Sequence, residues 1–442
     1  MTSYIDAGSI VAGAAGLMLW TEYLGMSTTK IGLLGACSSN ALSAAIGALV
    51  GGRICDLYGR KLVYTYDLVF YILGMLLIIF GVNYPMLLIG YIVVGLSVGA
   101  DVAASWTLIA ENAPAENRAR HCGTAQFMWA LGPGVVMLLS AIVNFLGLGL
   151  LGNRLVFGHL AVIALIVWIM RLRMPESEEW VSNKEKEKQL IEAGIWQKTS
   201  YWDLFTNSIN MRGLLLLIGV YMIWNLAAGT MGGLLPYIYS KAGGVSTTTS
   251  QVLTTLLFAV SCLSTYFIFM RLADKYSRRL IYCIIACLFI IAWGAFIIPS
   301  SFIGTSITLT NIVVTSPGGE AWHPTFTLGI FVFITVSVLI GINNGSGQQA
   351  FYQMWGAEIF PTRYRAQAQG FSFFTARFCL SIWLFLVPVL MGEDGSGMPF
   401  VAFFLVAFAT ISMLIGTIFC PNTAGKTLEQ IEEERYGKTD QK

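Results

Sequence analysis

Charge is what this chain has least of. Only 11% of its 442 residues are Asp, Glu, Lys or Arg, against about a quarter in an ordinary soluble domain. Hydrophobic residues make up 56%, a balance that excludes a soluble globular core. Histidine is nearly missing: His121, His159 and His323 stand far apart, so no metal centre or histidine-based catalysis is implied. The eight cysteines fall singly at or within apolar runs, the closest pair being Cys283 and Cys287. Their spacing fits neither a zinc site nor a disulfide framework, and they read as small core residues. A basic stretch ahead of an apolar run, the mark of a cleavable leader, is also lacking at the N-terminus. No nucleophile–base set stands out, so an enzyme is not expected, nor a cofactor or a nucleic-acid partner. Residues 147–152 match GxGxxG by letter but follow no strand, which removes the dinucleotide reading.

Long apolar runs are abundant instead. A membrane span needs roughly 20 apolar residues, and twelve such runs can be drawn. Between the second and third lies Gly51-Gly52-Arg53-Ile54-Cys55-Asp56-Leu57-Tyr58-Gly59-Arg60-Lys61, and a near copy returns at Arg271–Arg279, with Asp274, Tyr276, Arg278 and Arg279 in the same relative places. A second motif also repeats: Glu111 has Pro114 at +3 and Arg118 at +7, as Glu358 has Pro361 and Arg365. Asp56 and Glu111 are 55 apart, Asp274 and Glu358 are 84 apart, and the excess matches a polar stretch at 300–325 that reads as an inserted outer loop. The expected fold is therefore an all-α polytopic membrane protein of twelve transmembrane helices in two pseudo-symmetric six-helix bundles. The halves fall at 1–172 and 212–420, with a linker at 173–211 and a tail at 421–442. Within the linker, acids and lysines alternate over Glu176–Glu192 as in a solvated helix.

The Gly-Arg-x-x-Asp-x-x-Gly-Arg-Lys motif resembles that of the major facilitator superfamily. Pro175-Glu176-Ser177, Pro361-Thr362-Arg363-Tyr364-Arg365-Ala366 and Pro421–Glu429 are similar to the sugar-porter and metabolite–proton symporter branches. The resemblance implies that Asp56, Arg60, Asp274 and Arg278 latch the cytoplasmic ends when the carrier faces outward. Glu111 with Arg118, and Glu358 with Arg365, look like the companion pairs of that gate.

Orientation follows from the bases. Of 26 Lys and Arg, 22 fall in segments on one side of the expected spans, three (Lys30, Arg154, Lys241) on the other, and Arg377 falls inside a span. The positive-inside rule then puts both termini and the linker in the cytoplasm, consistent with a multi-pass protein of the plasma membrane, by expectation a bacterial inner membrane. A monomer is expected.

The first apolar run, Ile5–Trp20, is short for a span, and Asp6 sits near its start; a start site further upstream is the expected explanation. Ionisable and amide side chains inside spans are costly and by default functional. Asp101 lies about 15 Å of helix from Glu111, near the midplane. Burial disfavours the ionised carboxyl, so Asp101, with Asp6 as a second candidate, is expected to take up a proton outside and release it inside. Gly132-Pro133-Gly134 is expected to bend span five, and Gly229, Gly232, Gly233 and Pro236 to break span seven beside Asn225. Span ten (326–358) holds the densest polar cluster, with Asn344, Gln348 and Gln349 as substrate contacts or helix–helix bonds. Arg377 and Trp383 in span eleven complete the candidate substrate site, Arg377 either binding a substrate anion or holding Asp101 in its absence. The functional expectation is proton-coupled symport of a sugar, polyol or sugar acid. A uniporter or exporter of a small organic anion comes next, and a non-transporting nutrient sensor, which would need a longer tail, comes last.

Overall fold

Inside lipid every backbone N–H and C=O needs an internal partner, so apolar runs of this length can cross only as helices or closed barrels. In the computed structural model of the protein they are helices. It describes the chain apart from residues 28–29, 31–32, 36, 38–39, 112, 174–175, 193–201, 244–246, 298–305, 309–313, 316–320, 323–324, 363, 392–395, 422 and 438–442. The first half comprises α1 (Thr2–Leu24), α2 (Leu42–Tyr58), α3 (Arg60–Ile79), α4 (Tyr84–Glu111), α5 (Arg118–Phe145) and α6 (Gly149–Arg171). A charged connector helix, α7 (Glu178–Glu192), leads to α8 (Ser208–Gly243), α9 (Thr247–Ser264), α10 (Arg278–Gly294), α11 (Leu328–Ser346), α12 (Gln348–Glu358), α13 (Arg365–Met391) and α14 (Met398–Phe419). The tail ends in α15 (Leu428–Tyr436), started by a capping box between Thr427 and Gln430. Among the described residues nine helices are long and apolar enough to cross a membrane by themselves. The other three crossings are α1, α2 and the α11–α12 pair.

The molecule is inverted relative to a soluble protein. Phe385, Val389 and Phe419 are among its most exposed side chains, whereas Arg60, Arg278 and Arg365 are fully buried. Two helix pairs form the seam between the halves: α2 packs on α13, and α5 packs on α9. Small residues allow the first pair to approach closely, since a Cβ on Gly52 would collide with the Ala366 carbonyl and one on Gly370 with that of Ala48. At the α2–α3 corner Gly59 has φ 105°, a conformation that L side chains rarely adopt.

Several expectations are corrected. Span seven is not broken: α8 runs unbroken for 36 residues. Its Gly229 instead makes room for Leu380 of α13. The break falls in span ten, at Gly347, between α11 and α12. Span five carries Pro133 inside helix α5, a position that favours the expected bend. Its Gly132 lets α1 pack directly, with the Tyr4 carbonyl where a Cβ would be. Span one is longer than its apolar core suggests, at 23 residues. Within the polar insertion, two small antiparallel strand pairs appear, Ser306–Thr308 with Thr325–Thr327 and Val314–Thr315 with Ala321–Trp322. His323 lies outside the described residues.

Candidate functional site

At one end of the bundle the repeated motifs meet and cross. Glu111 of the first half accepts from Arg60 at 2.9 Å and from Arg365 of the second half at 3.0 Å. In mirror fashion, Glu358 accepts from Arg278 at 3.0 Å and from Arg118 of the first half at 3.1 Å. The expected companion pairs, Glu111 with Arg118 and Glu358 with Arg365, are thus replaced by crossed ones, because each arginine reaches over the seam. The aspartates cross as well. Asp56 bonds its own Arg60 (3.1 Å) and accepts from the Gln367 backbone N–H near the N-terminus of α13 (2.8 Å). Asp274 bonds Arg278 (3.4 Å) and accepts from the Ala119 and Arg120 N–H groups at the N-terminus of α5 (3.2 Å each). Each carboxylate thereby caps a helix of the opposite half, where the helix dipole favours negative charge. Two further segments reinforce this latch. Ser177 Oγ donates to Glu111 (2.6 Å), and Glu176 accepts from the backbone N–H groups of Arg60 and Lys61. From the tail, the Lys426 carbonyl accepts from Arg118 and Thr423 Oγ1 from Arg278.

Deeper in the first half four ionisable side chains from four helices come together. Arg171, at the end of α6, donates to Asp101 Oδ1 on α4 at 2.7 Å and to both oxygens of Asp67 on α3 at 3.2 Å. The same guanidinium donates to the Tyr64 carbonyl and lies 3.1 Å from the centroid of the Tyr64 ring. Asp6 on α1 is within hydrogen-bonding reach of Asp101. All four residues are at most 5% exposed, and Asp6 Oδ2 and Asp101 Oδ2 have no donor. Three carboxyls against one guanidinium leave an excess of acid in a region that cannot solvate charge. A shared proton between Asp6 and Asp101 would relieve it. The structure therefore overturns the pairing of Asp101 with Arg377. Asp67 and Arg171 were not singled out from sequence: Asp67 is a lone charge in the apolar run 62–82, and Arg171 reads as one more base after span six.

The second half presents amides and rings instead. Arg377 donates to Asn40 of the first half and lies 4.7 Å from the Phe373 ring centroid, with Tyr221 beside it. Tyr221 stacks on Tyr352 at 4.0 Å, and Trp106 of the first half meets Tyr352 and Phe373 edge-on at 6.0 and 6.2 Å. Trp224 Nε1 donates to Asn343, which donates to Gln348. Across the seam Gln126 of α5 donates to the Asn344 carbonyl and accepts from Gln353 (3.0 Å). Among the candidates, Asn344 uses its amide on Ser261. Trp383 uses its indole N–H on Thr230 and packs between Phe404 and Phe408, so it stands among second-half helices rather than with these amides. Asn225 Oδ1, Gln348 Nε2, Gln349 Nε2 and Gln353 Oε1 are buried without a protein partner. Such atoms are costly unless a ligand or water completes them.

The family model described as Major Facilitator Superfamily matches residues 2–382. A minor myo-inositol transporter of Bacillus subtilis (strain 168), IolF, is 50% identical over 438 residues, covering 99% of this chain and 92% of the relative. A probable polyol transporter of Arabidopsis thaliana is 26% identical over 88% of this chain and 84% of its own length. Among solved structures, the proton:xylose symporter XylE bound to 6-bromo-6-deoxy-D-glucose superposes with a TM-score of 0.73 at 20% identity, over 98% of this chain and 97% of that one.

Proposed function

Since the chain belongs to the major facilitator superfamily, we propose that it is a secondary active transporter that moves a sugar or sugar-like small metabolite with protons by alternating access. The substrate range (sugar, polyol or sugar acid) draws on the likeness to transporters of myo-inositol and polyols. Proton coupling rests on one observation above all, the buried Asp6–Asp67–Asp101–Arg171 cluster. Asp101 and Asp6 carry the transported proton in this reading, and Arg171 is the internal cation that replaces it after release. Substrate engages the amides Asn225, Gln348 and Gln349, Arg377 and the ring faces around Tyr221, while Asn344 and Trp383 support that wall from behind. The crossed latch of Asp56, Arg60, Glu111, Arg118, Asp274, Arg278, Glu358 and Arg365 is the gate. With both termini cytoplasmic, its closure leaves the substrate site open to the outside of the plasma membrane, and parting of the α2–α13 and α5–α9 seams opens it inward. The carrier works as a monomer in this scheme, since each gate and each interior is complete within one chain.

A uniporter or exporter is the second reading, favoured by the completeness of the Arg171 ion pairs, which would serve as packing alone. Proteoliposomes with an imposed proton gradient separate the two. Accumulation of a labelled panel of sugars, polyols and sugar acids should be lost in Asp101→Asn while counterflow exchange persists. Accumulation indifferent to the gradient in the wild type would sink the coupling.

A further inference from the structure

We infer that the substrate carries a carboxylate, held by Arg377, on a polyhydroxylated body: a sugar acid of the uronate or aldonate kind rather than a neutral sugar or polyol. This rests on the transport reading above and narrows its substrate.

The argument is one of charge. Arg377 sits twelve residues along α13 from Arg365, about 18 Å of helix at 1.5 Å per residue, and is 4% exposed. A guanidinium at that depth stays ionised and needs an anion or solvent. Among the described residues, each carboxylate buried deep in the molecule is engaged elsewhere. Asp67 and Asp101 hold Arg171, with Asp6 against Asp101; Glu111 holds Arg60 and Arg365; Glu358 holds Arg118 and Arg278; Asp56 and Asp274 cap helices. What Arg377 touches is neutral: the Asn40 amide oxygen, the Phe373 face and the Tyr221 side chain. Its Nε carries no bond at all. Among the described residues no acid faces it, so the missing charge is one that a ligand brings and takes away.

The surroundings say what else that ligand has. Next to the guanidinium lies an aromatic stack of Tyr221, Tyr352 and Phe373. The aromatic cluster joins, through Trp224 and Asn343, to Gln348, whose Nε2 is free to donate. Rings against C–H faces and amides against hydroxyls suit a polyhydroxylated body. One guanidinium balances a monoanionic carboxylate and would leave a phosphate dianion half-compensated. The charge count also has a transport consequence: a monoanion carried with one proton moves no net charge, whereas a neutral polyol carried with one proton moves one positive charge.

Two measurements on the full chain test this. Binding of D-glucuronate, D-galacturonate and myo-inositol to detergent-solubilised protein is followed by calorimetry for wild type, Arg377→Gln and Arg377→Lys. Transport of the same three compounds is followed in proteoliposomes, with and without a potassium–valinomycin membrane potential. A hexuronate should bind wild type and lose about 100-fold or more in Arg377→Gln, the size expected for removing one partner of a buried charge pair, with part of the loss recovered in Arg377→Lys. Its proton-driven uptake should be indifferent to membrane potential. Myo-inositol carried at the expense of membrane potential, with hexuronate neither bound nor carried, would overturn the inference and leave the carrier intact. Hexuronate bound through Arg377 but carried down no gradient would uphold the anion site and refute transport.

Discussion

Asp56 and Asp274, Arg60 and Arg278, Glu111 and Glu358, Arg118 and Arg365 occupy matching places in the two halves and make matching bonds, Arg60 and Arg278 to the glutamate of their own half and Arg118 and Arg365 to that of the other. The interiors above them share nothing of the kind. The first half packs three aspartates around Arg171, and the second sets a single arginine among tyrosines and amides. A gate that must open and close as one piece gains from symmetry, because equal bonds on both sides release together. Ion coupling and substrate recognition are different chemistries, and each needs only one site. In the proposed scheme the duplicated part is the conformational machinery, and the unlike parts carry the specific function.

The sharpest way to break this contrast is Arg171→Met. It removes the guanidinium that the buried Asp67 and Asp101 share, which costs on the order of 3–5 kcal/mol, and thermal unfolding in detergent should show it as a large loss. Adding Asp67→Asn and Asp101→Asn to that variant should restore most of the stability, since the uncompensated charge goes with them. A stability unchanged by Arg171→Met would mean that the cluster is solvated.

Next in size is the latch, whose symmetry predicts equal effects on the two sides. Cys122 is buried beside it in α5 and can report its opening in a background stripped of the other cysteines. Glu111→Gln and Glu358→Gln each remove one crossed pair of charges, so each should raise the rate of Cys122 alkylation several-fold and to a similar extent. A response to one and not the other would show that one crossing dominates. Replacing Gly370 with Leu places a side chain against the Ala48 carbonyl. That should hold the α2–α13 seam apart and raise the alkylation rate in the same direction. The smallest effect is expected far from both features. Lys184 and Glu187 form a half-exposed pair at 2.8 Å on α7, and Lys184→Ala should change stability by less than about 0.5 kcal/mol.

Much of the architecture is legible in the chain itself. Twelve uninterrupted apolar runs of span length, in a solvent without hydrogen-bonding partners, read as helices, and two copies of the Asp–Arg and Glu–Arg motifs in the same order point to two like halves. Breaks were harder to read. Four helix-breaking residues in α8 did not break it, and one of them, Gly229, makes room for Leu380 of α13, while the single Gly347 did separate α11 from α12. Asp101 stood out as an expensive charge, yet its partner did not.

What the sequence determined by itself is the class of fold and the repeated Asp–Arg and Glu–Arg motifs, since hydrophobicity and spacing are local properties. Which charge meets which was decided by tertiary structure. Arg118 reaches Glu358 across 240 residues of chain and Arg365 reaches Glu111 across 254. Arg171 takes Asp101 across 70, leaving Arg377 without an acid. Carboxylates and guanidiniums are interchangeable by type, so pairing depends on which helix ends come within about 3 Å of each other. Only the packed bundle sets that.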